Sequence, residues 1–147
     1  MKTKGTLLLS GAILAVDQLT KHWLGGVSML LIPGMLSLSP VRNTGASFGL
    51  FIGYTPLLTG VSTALAALLA AHIVLKQPRG MESAGLGLML GGAVGNLADR
   101  MFRGYVVDFI RLDFISFPVF NLADMALTVG ALTLAAAWLM PGRRQAS

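Results

Sequence analysis

The sequence GLGLMLGGAVGNLADR (residues 85–100) joins an apolar, glycine-rich run to a short polar end. Asn96, Asp99 and Arg100 stand at i, i+3 and i+4, so the amide shares one helix face with both charges. Three glycines of the run recur every four residues, a spacing that lets membrane helices approach closely: Gly87, Gly91 and Gly95. The stretch predicts a tightly packed membrane helix whose polar end holds either a structural ion pair or functional side chains.

The composition of the whole chain also indicates a membrane protein. Of its 147 residues, 54% are apolar and only 12% are charged, about half the ~25% of charged residues in soluble domains. A soluble domain of this size could not bury so much apolar surface or cover itself with so few charges. These values argue against a soluble enzyme, a disordered chain and a nucleic-acid binder. The chain has no cysteine, which excludes disulfides, a thiolate metal site and a cysteine nucleophile.

Four windows are apolar over the ~20 residues that a membrane span requires. They predict an all-α polytopic membrane protein with four transmembrane helices, forming one integral membrane domain over residues 1–147. The spans are expected at about 6–24, 56–75, 83–101 and 121–140. Pro56 suits the first turn of the second span, and Pro141 with Gly142 is expected to end the fourth. The first window lacks a small-residue cleavage pattern, so we expect it to be retained as a span.

The distribution of basic residues predicts the orientation of the spans. An even number of spans places both termini on one side, where six basic residues lie in short segments. The other side holds five basic residues spread over much longer stretches. Since Lys and Arg concentrate in short cytoplasmic segments, we expect cytoplasmic termini. The first set is Lys2, Lys4, Lys76, Arg79, Arg143 and Arg144, and the second is Lys21, Arg42, Arg100, Arg103 and Arg111.

The two outer segments, residues 25–55 and 102–120, carry the signals of short β-strands. In the first, β-compatible runs surround turn signals: Ser28–Ile32 and Leu36–Ser39, with Pro33-Gly34 and Pro40. The second contains a run rich in aromatic and β-branched residues, interrupted by Asp108, Arg111 and Asp113. We therefore expect a small β-sheet resting on the outer membrane surface.

Acidic side chains near the spans are candidates for function, because a charge at membrane depth costs at least ~2.5–3.5 kcal/mol. Asp17 and Lys21 stand four residues apart on one helix face, so they are expected to pair. Lys21 can also extend to the outer interface. A structural ion pair that fixes packing at the end of the span is the favoured interpretation of these two residues.

Asp108 and Asp124 are the candidate catalytic pair. Asp124 lies in the first turn of the fourth span, three residues after Asn121, whose side chain suits a helix cap. Short connections allow Asp108 to lie alongside it. Two carboxyls at one dry site share a proton, which supplies a general base and a general acid for attack of water on an amide. A proton pathway or a structural pair remains an alternative.

Residues 45–49 match the Gly-x-Ser-x-Gly pattern of serine hydrolases, with Ser47 as the nucleophile. That motif requires a strand-turn-helix in an α/β sheet and a histidine partner. The two histidines, His22 and His72, lie near the ends of the first two spans, and no βαβ pattern surrounds the serine. We interpret the match as chance. The histidines lack ligand spacing and no phosphate-binding glycine pattern occurs, so we expect no metal and no cofactor.

Five stretches of the sequence together resemble the successive motifs of the bacterial lipoprotein signal peptidase family, the type II signal peptidases. They occur in order and at suitable spacing within residues 17–126. Five motifs in register are far more specific than any one of them. The stretches are Asp17-Gln-Leu-Thr-Lys21, Asn43-Thr-Gly-Ala-Ser-Phe48, Gly91-Gly-Ala-Val-Gly-Asn-Leu-Ala-Asp-Arg100, Val107-Asp-Phe109 and Phe120-Asn-Leu-Ala-Asp124.

The resemblance implies an aspartic endopeptidase of the bacterial inner membrane, with its active site at the periplasmic face. Family members cleave the signal peptide from prolipoproteins just before a cysteine that carries diacylglycerol. The family fold has four membrane helices and a small extracytoplasmic β-cradle. The expected partners are diacylglyceryl-prolipoproteins and membrane lipids, with no nucleic acid, and we expect a monomer.

The resemblance also implies roles for individual residues. Asp108 and Asp124 correspond to the catalytic dyad. Four positions match residues that line and order the site: Asn43, Asn96, Arg100 and Asn121. Three more match polar positions that are mainly structural: Asp17, Lys21 and Asp99. Which aspartate acts as the base does not follow from the sequence.

Two other functions agree with parts of the sequence. A proton-coupled transporter could use Asp17, Asp99 and Asp124 as an intramembrane pathway, although the acidic residues cluster towards the outer side and no internal repeat is evident. A non-catalytic assembly subunit could use the glycine stripe to bind a partner helix. That subunit would tolerate loss of the aspartates but not of Gly91.

Overall fold

The computed structural model describes residues 3–45 and 53–139 of the chain. It confirms the expected architecture of four long helices with one small sheet. The elements in chain order are α1 (Thr3–Leu24), β1 (Met29–Ile32), β2 (Leu36–Asn43), α2 (Thr55–Lys76), α3 (Gly80–Arg103), β3 (Val106–Leu112) and α4 (Leu122–Leu139). Pro56 lies in the first turn of α2, as expected. Ser47, Pro141 and Gly142 lie outside the described residues.

Helix α3 is the centre of the molecule and packs against each of the other three helices. Between α2 and α3 the contact is an apolar cluster: Ala66, Leu69, Ile73, Leu86, Leu90 and Ala93. Between α1 and α3 the buried side chains of α1 are all polar: Thr6, Ser10, Asp17 and Lys21. The Ser10 hydroxyl donates to the backbone carbonyl of Gly87 at 3.0 Å. α1 thus buries polar side chains and exposes apolar ones. A helix of a soluble protein has the opposite distribution, with its apolar face buried and its polar face in water.

The glycine stripe of α3 allows α1 to approach, as the sequence predicts. A β-carbon at Gly91 would lie 2.7 Å from the Ile13 β-carbon and 2.8 Å from the Ser10 carbonyl oxygen. Two further glycines, which are not part of this stripe, face α4 in the same way: Gly85 and Gly92. The backbone of α3 therefore approaches two helices closely, because glycines stand on the faces that meet α1 and α4.

Replacing Gly91 by Leu is expected to destabilise the fold, because overpacking of a close contact costs roughly 1–3 kcal/mol. The matched control is Gly60→Leu on α2, where an added β-carbon meets nothing within 4 Å. The measurement is the thermal transition of both purified variants in detergent. A Gly91→Leu variant as stable as Gly60→Leu would contradict the assigned packing of α1 on α3.

The three strands form an antiparallel sheet in the order β1-β2-β3. Pro33-Gly34 makes the expected turn between β1 and β2, with Gly34 at φ +70°, a backbone conformation that favours glycine. The expectation of a turn at Pro40 is wrong, since β2 continues through this residue to Asn43. The pairing of β2 with β3 shifts register between Leu38 and Val41. A bulge accommodates proline there because proline has no N–H to donate to the ladder.

Two helices have the length and hydropathy of membrane spans among the described residues. Their mean hydropathies are 2.0 for α2 and 1.6 for α4. Large apolar side chains project outward from them, for example Leu68 at 70% exposure and Leu132 at 67%. Lipid would cover such surface, whereas a soluble protein rarely exposes it in continuous patches.

Candidate active site

Asp108 is held at the sheet by two side-chain amides. It lies in β3 opposite Val41 of β2 and is only 2% exposed. Its Oδ2 accepts a hydrogen bond from Asn43 Nδ2 at 2.9 Å, and its Oδ1 accepts one from Asn121 Nδ2 at 2.6 Å. Asn43 is the last residue of β2. The pairing of two strands therefore places one of the two amides beside the carboxyl.

Asp124 is held by the start of α4. The Asn121 Oδ1 accepts from the Asp124 backbone N–H at 2.9 Å, and Asp124 Oδ2 accepts from the Asn121 backbone N–H at 3.2 Å. These reciprocal bonds form a capping box, which satisfies two otherwise unpaired donors of the helix end. The expected cap at Asn121 is confirmed. It fixes the Asp124 carboxyl at the first turn of α4.

The two aspartates meet through asparagine side chains. Asn121 is fully buried and bonds to both aspartates, while Asn96 Nδ2 of α3 donates to Asp124 Oδ1 at 2.8 Å. Each of the four carboxyl oxygens thus accepts one hydrogen bond from an N–H group. A carboxylate oxygen has further lone-pair capacity, so both groups can still bind a water or a substrate group.

A cavity of about 900 Å³ opens beside both carboxyls. Asn43, Asn96 and Arg100 also line it, whereas Asn121 lies behind the dyad and is absent from the lining. The remaining wall is largely apolar and includes Val41, Val106, Leu112, Phe117, Val119, Phe120, Met125 and Val129. This combination of two carboxyls in a mostly apolar cavity is typical of a catalytic site.

Burial raises the pKa of Asp108 to about 6, with hydrogen bonds and charges acting on it as well. The bonds from Asn43 and Asn121 and the charge of Lys21 lower the pKa, while the charge of Asp124 raises it. Desolvation penalises the ionised form, and at this site it outweighs the two amides that favour that form. Asp108 can therefore hold a proton at a pH at which an exposed aspartate has lost it.

This shift predicts how stability depends on pH. Because the folded pKa lies above the unfolded value of 3.8, the folded state binds the extra proton between these values, and stability falls as the pH rises through them. The loss from this group is up to about 3 kcal/mol by pH 7. The stability of Asp108→Asn, measured relative to wild type, should rise by that amount from pH 3, below the unfolded pKa, to pH 7. The measurement is the thermal transition in detergent of Asp108→Asn and wild type at each pH. A constant difference between the two proteins would contradict the prediction. Asp113→Asn, on the exposed sheet surface, is the control.

Arg100 and Asp99 turn to different sides of α3, as adjacent helical residues must. Arg100 Nη1 donates to Ser62 Oγ of α2 at 3.4 Å, and its Nη2 donates to the Gly45 carbonyl at 3.3 Å. Its buried Nε has no hydrogen-bond partner among the described residues. Ser62 was not singled out by the sequence, since a lone serine in an apolar helix carries no local signal.

Asp17, Lys21 and Asp99 form a buried ionic cluster behind the asparagines. Lys21 Nζ lies 2.8 Å from Asp17 Oδ2 and 2.9 Å from Asp99 Oδ2, and none of these side chains is exposed. The expected pairing of Asp17 with Lys21 is confirmed. The expectation that Lys21 extends to the outer interface is wrong, because its acceptors lie inside the helix bundle and satisfy its ammonium there.

Two further side chains belong to this cluster and were missed from the sequence. Gln18 Nε2 donates to carboxyl oxygens of Asp17 and Asp99, each at 3.2 Å. Arg103 pairs with Asp99 four residues before it. The i, i+4 spacing was the available signal for Arg103, and adjacency to Asp17 was the signal for Gln18. Among the described residues, no three His, Asp or Glu side chains are grouped as metal ligands.

Comparison with known proteins assigns the chain to a family. The family described as signal peptidase (SPase) II matches residues 9–140. The lipoprotein signal peptidase of Moorella thermoacetica is 43% identical over 145 residues, covering 95% of each chain. That of Geobacillus thermodenitrificans is 43% identical over 136 residues, covering 86% of this chain and 84% of its own.

A solved structure described as a bacterial membrane enzyme is also similar. Its TM-score is 0.86 at 28% sequence identity, with 98% of this chain and 93% of that chain covered. A second, with the same description, gives 0.82 at 29% identity and covers 92% of this chain and 93% of that one. With the match over residues 9–140, these similarities show that the chain is a membrane-bound peptidase and belongs to the signal peptidase II family.

Proposed function

We propose that this protein is an aspartic endopeptidase that removes the signal peptide from prolipoproteins, with Asp108 and Asp124 as its catalytic dyad. One observation carries the assignment of the dyad. The two carboxyls reach the same cavity from different elements, and each oxygen is held by one N–H group. Such fixed carboxyls can share a proton and act on one water.

The proposed reaction uses one aspartate as the base and the other as the acid. The ionised carboxyl takes a proton from a water, whose oxygen forms a bond to the carbonyl carbon of the scissile amide. The protonated carboxyl first hydrogen-bonds the carbonyl oxygen and then, as the C–N bond breaks, a proton passes to the leaving nitrogen. The raised pKa of Asp108 supports a carboxyl that keeps a proton at the start of the reaction.

Arg100 and Asn43 are proposed to hold the substrate and the developing charge. Both line the cavity, and Asn43 already donates to Asp108. Arg100 is tied to α2 and to the Gly45 carbonyl through its two terminal nitrogens. These bonds hold the guanidinium in place beside the cavity, and a donor that is already oriented stabilises charge without reorganisation.

The apolar wall of the cavity supports a substrate that carries lipid. Met125 and Val129 extend the cavity along α4, which has the length and hydropathy of a membrane span. Acyl chains of a diacylglyceryl cysteine could remain beside this helix, while the peptide lies against the sheet near Asp108. The scissile bond would then arrive at the depth of the dyad.

We propose that all four helices span the inner membrane, with cytoplasmic termini and the dyad at the periplasmic face. The polar interface between α1 and α3 supports insertion of these helices in a membrane, because α1 turns apolar side chains outward, as Leu8 does at 73% exposure. Membrane helices associate through small residues and interhelical hydrogen bonds of this kind. A monomer contains the complete proposed site, since every residue in it comes from one chain.

The test is cleavage of a diacylglyceryl-modified prolipoprotein by the purified protein in detergent, with the unlipidated form as the control substrate. We expect cleavage of the lipidated form alone, with a product that begins at the modified cysteine by mass spectrometry. Equal cleavage of both forms would contradict the proposed lipid recognition. A folded protein that cleaves neither would contradict the proposed function.

A further inference from the structure

The buried cation Lys21 contacts more than its ionic partners. Its Nζ donates to Asn96 Oδ1 at 3.0 Å, in addition to Asp17 Oδ2 at 2.8 Å and Asp99 Oδ2 at 2.9 Å. An ammonium has three donors, so these three acceptors use all of them. The bond to Asn96 is the one that leaves the ionic cluster, because Asn96 in turn donates to Asp124.

The charges of the ionic cluster balance without Asn96. Two carboxylates, Asp17 and Asp99, face two cations, Lys21 and Arg103. A cation that only held α1 against α3 would need those two carboxylates and no contact with the asparagine that touches Asp124. The third bond therefore calls for an explanation other than charge balance.

We infer that Lys21 is a positioning residue for the proposed reaction, whose ammonium fixes the orientation of the Asn96 amide so that its N–H group faces Asp124. This inference rests on the proposed function and adds to it. Lys21 touches neither aspartate of the dyad, and its effect reaches Asp124 through one side chain.

The orientation follows from the donors and acceptors of each group. Asn96 can present either its oxygen or its NH2 group in a given direction, whereas lysine can only donate. With the oxygen facing Lys21, the NH2 group faces Asp124 Oδ1 at 2.8 Å. If the amide turned over, its NH2 group would face the ammonium and its oxygen would face a carboxyl oxygen, and both contacts would be repulsive.

Asn121 favours the same orientation of the Asn96 amide, but its own NH2 group is bound mainly to Asp108. Its NH2 group donates to Asp108 Oδ1 at 2.6 Å and reaches Asn96 Oδ1 only at 3.2 Å. Its own amide is fixed by the cap of α4, since its oxygen accepts from the Asp124 N–H. The cap therefore orients one asparagine, and Lys21, at the shorter distance and with a full charge, orients the other.

The charge of Lys21 also reaches the dyad. Among the groups that act on Asp108, Lys21 lowers its pKa and Asp124 raises it. From α3 the Arg100 guanidinium interacts with both aspartates. β2 contributes the neutral amide of Asn43, which bonds to Asp108, and the charged Arg42, which lines the same cavity. Loss of Lys21 should thus shift the protonation of Asp108 to higher pH, whereas loss of a neutral neighbour of the cluster should not.

The test compares Lys21→Met, Lys21→Gln and Gln18→Leu in the full chain, purified in detergent. Gln18→Leu removes bonds to Asp17 and Asp99 but carries no charge and does not bond to Asn96, so it is the matched control for loss of packing. For Lys21→Met we expect kcat to fall by about 100-fold with KM nearly unchanged, and the rate–pH profile to move to higher pH. Gln18→Leu should lower the thermal transition and keep the profile of the wild type.

Lys21→Gln separates orientation from charge. Both Met and Gln remove the charge, but the Gln amide can still donate to Asn96 Oδ1, so we expect it to recover part of kcat. If the Gln and Met variants are equal, the inference is wrong. It is also wrong if the charge-balanced double variant Lys21→Met/Asp17→Asn keeps the kcat and profile of the wild type. If no Lys21 variant folds while Gln18→Leu does, Lys21 is only structural and the inference falls.

A readout without substrate distinguishes this inference from the proposed function. Infrared spectroscopy of the protein follows the carboxylic acid band of the dyad as the pH is raised. We expect the band to persist to higher pH in Lys21→Met than in Lys21→Gln, because both variants lose the charge but only the Gln side chain can still hold the Asn96 amide towards Asp124. Equal bands in these two variants would contradict the inference even if cleavage is observed, and a band that persists further in Lys21→Met would support it even if the wild type cleaves no lipidated substrate.

Discussion

Asp108→Asn and Asp124→Asn are each expected to abolish peptide cleavage, with a fall in rate of at least ~1,000-fold. The physical reason is that the reaction requires a base and an acid at the same time, and one remaining carboxyl cannot serve as both. Asparagine has nearly the same shape as aspartate, so the hydrogen-bonded site around it stays largely in place. The measurement is the cleavage rate of lipidated substrate at equal amounts of folded protein.

The control for this prediction is Asp113→Asn, which makes the same chemical change on the exposed sheet surface. Asp113 bonds to Ser37 and Arg111 and does not line the cavity, so its variant should keep the rate of the wild type. The double variant of the dyad should be no less active than either single variant, since residues that act as a unit give non-additive effects. Cleavage that survives either single substitution would remove that aspartate from the mechanism.

Replacement of Asn121 is also expected to have a large effect, because this buried amide contacts both aspartates. Its NH2 group holds Asp108 and its oxygen caps α4 at Asp124. We expect Asn121→Ser and Asn121→Ala to lower kcat by about 100-fold, as a small misplacement of a reacting group does. The measurement is kcat for the lipidated substrate, with the thermal transition recorded in parallel.

The pair of variants separates the two roles of Asn121. Serine is about as good a helix cap as asparagine, whereas alanine loses about 1 kcal/mol. Both lose the donor to Asp108, so activity should fall alike while stability falls further in Asn121→Ala. If Asn121→Ser keeps the activity of the wild type, the donor to Asp108 is unimportant, and the cap alone accounts for this residue.

The stability of the site and its chemistry depend on the same groups. Burial that raises the pKa of Asp108 makes the folded state less stable at neutral pH than a site without that carboxyl. The surrounding amides compensate in part, since they favour the ionised form. The site thus holds a carboxyl that is half protonated at about pH 6, where an exposed aspartate is ionised. The rest of the fold compensates for the stability that this burial costs.

Much of the fold was predictable from local sequence. The four helices lie where apolar windows occur, and the glycine stripe gives the face on which α1 approaches α3. The turn at Pro33-Gly34 was also predictable, because glycine adopts the required φ without strain. Pro40 was misinterpreted as a turn, since neighbouring strands decide whether a proline lies in a bulge or ends the strand.

The residues of the candidate site were predictable as a set, but not their arrangement. Asn43, Asn96, Asp108, Asn121 and Asp124 stand in motifs of the printed sequence, and the cap of Asn121 on Asp124 followed from their spacing. The bonds from Gln18 to Asp99 and from Arg100 to Ser62 were not predicted, because their partners lie 81 and 38 residues apart in the chain. The position of Gln18 beside Asp17 was its local signal, whereas the lone hydroxyl of Ser62 in an apolar helix had none.

Apolar length, glycine spacing and motif order are local properties, so they were enough to predict a membrane protein with four long helices, its resemblance to the signal peptidase II family and its two candidate aspartates. The direction of Lys21, into the bundle towards Asn96 and not outward to the interface, follows from the packed structure alone. A buried charge adopts the position in which all its donors meet acceptors. Those acceptors lie on two helices, and only the packing of α1 against α3 brings them together.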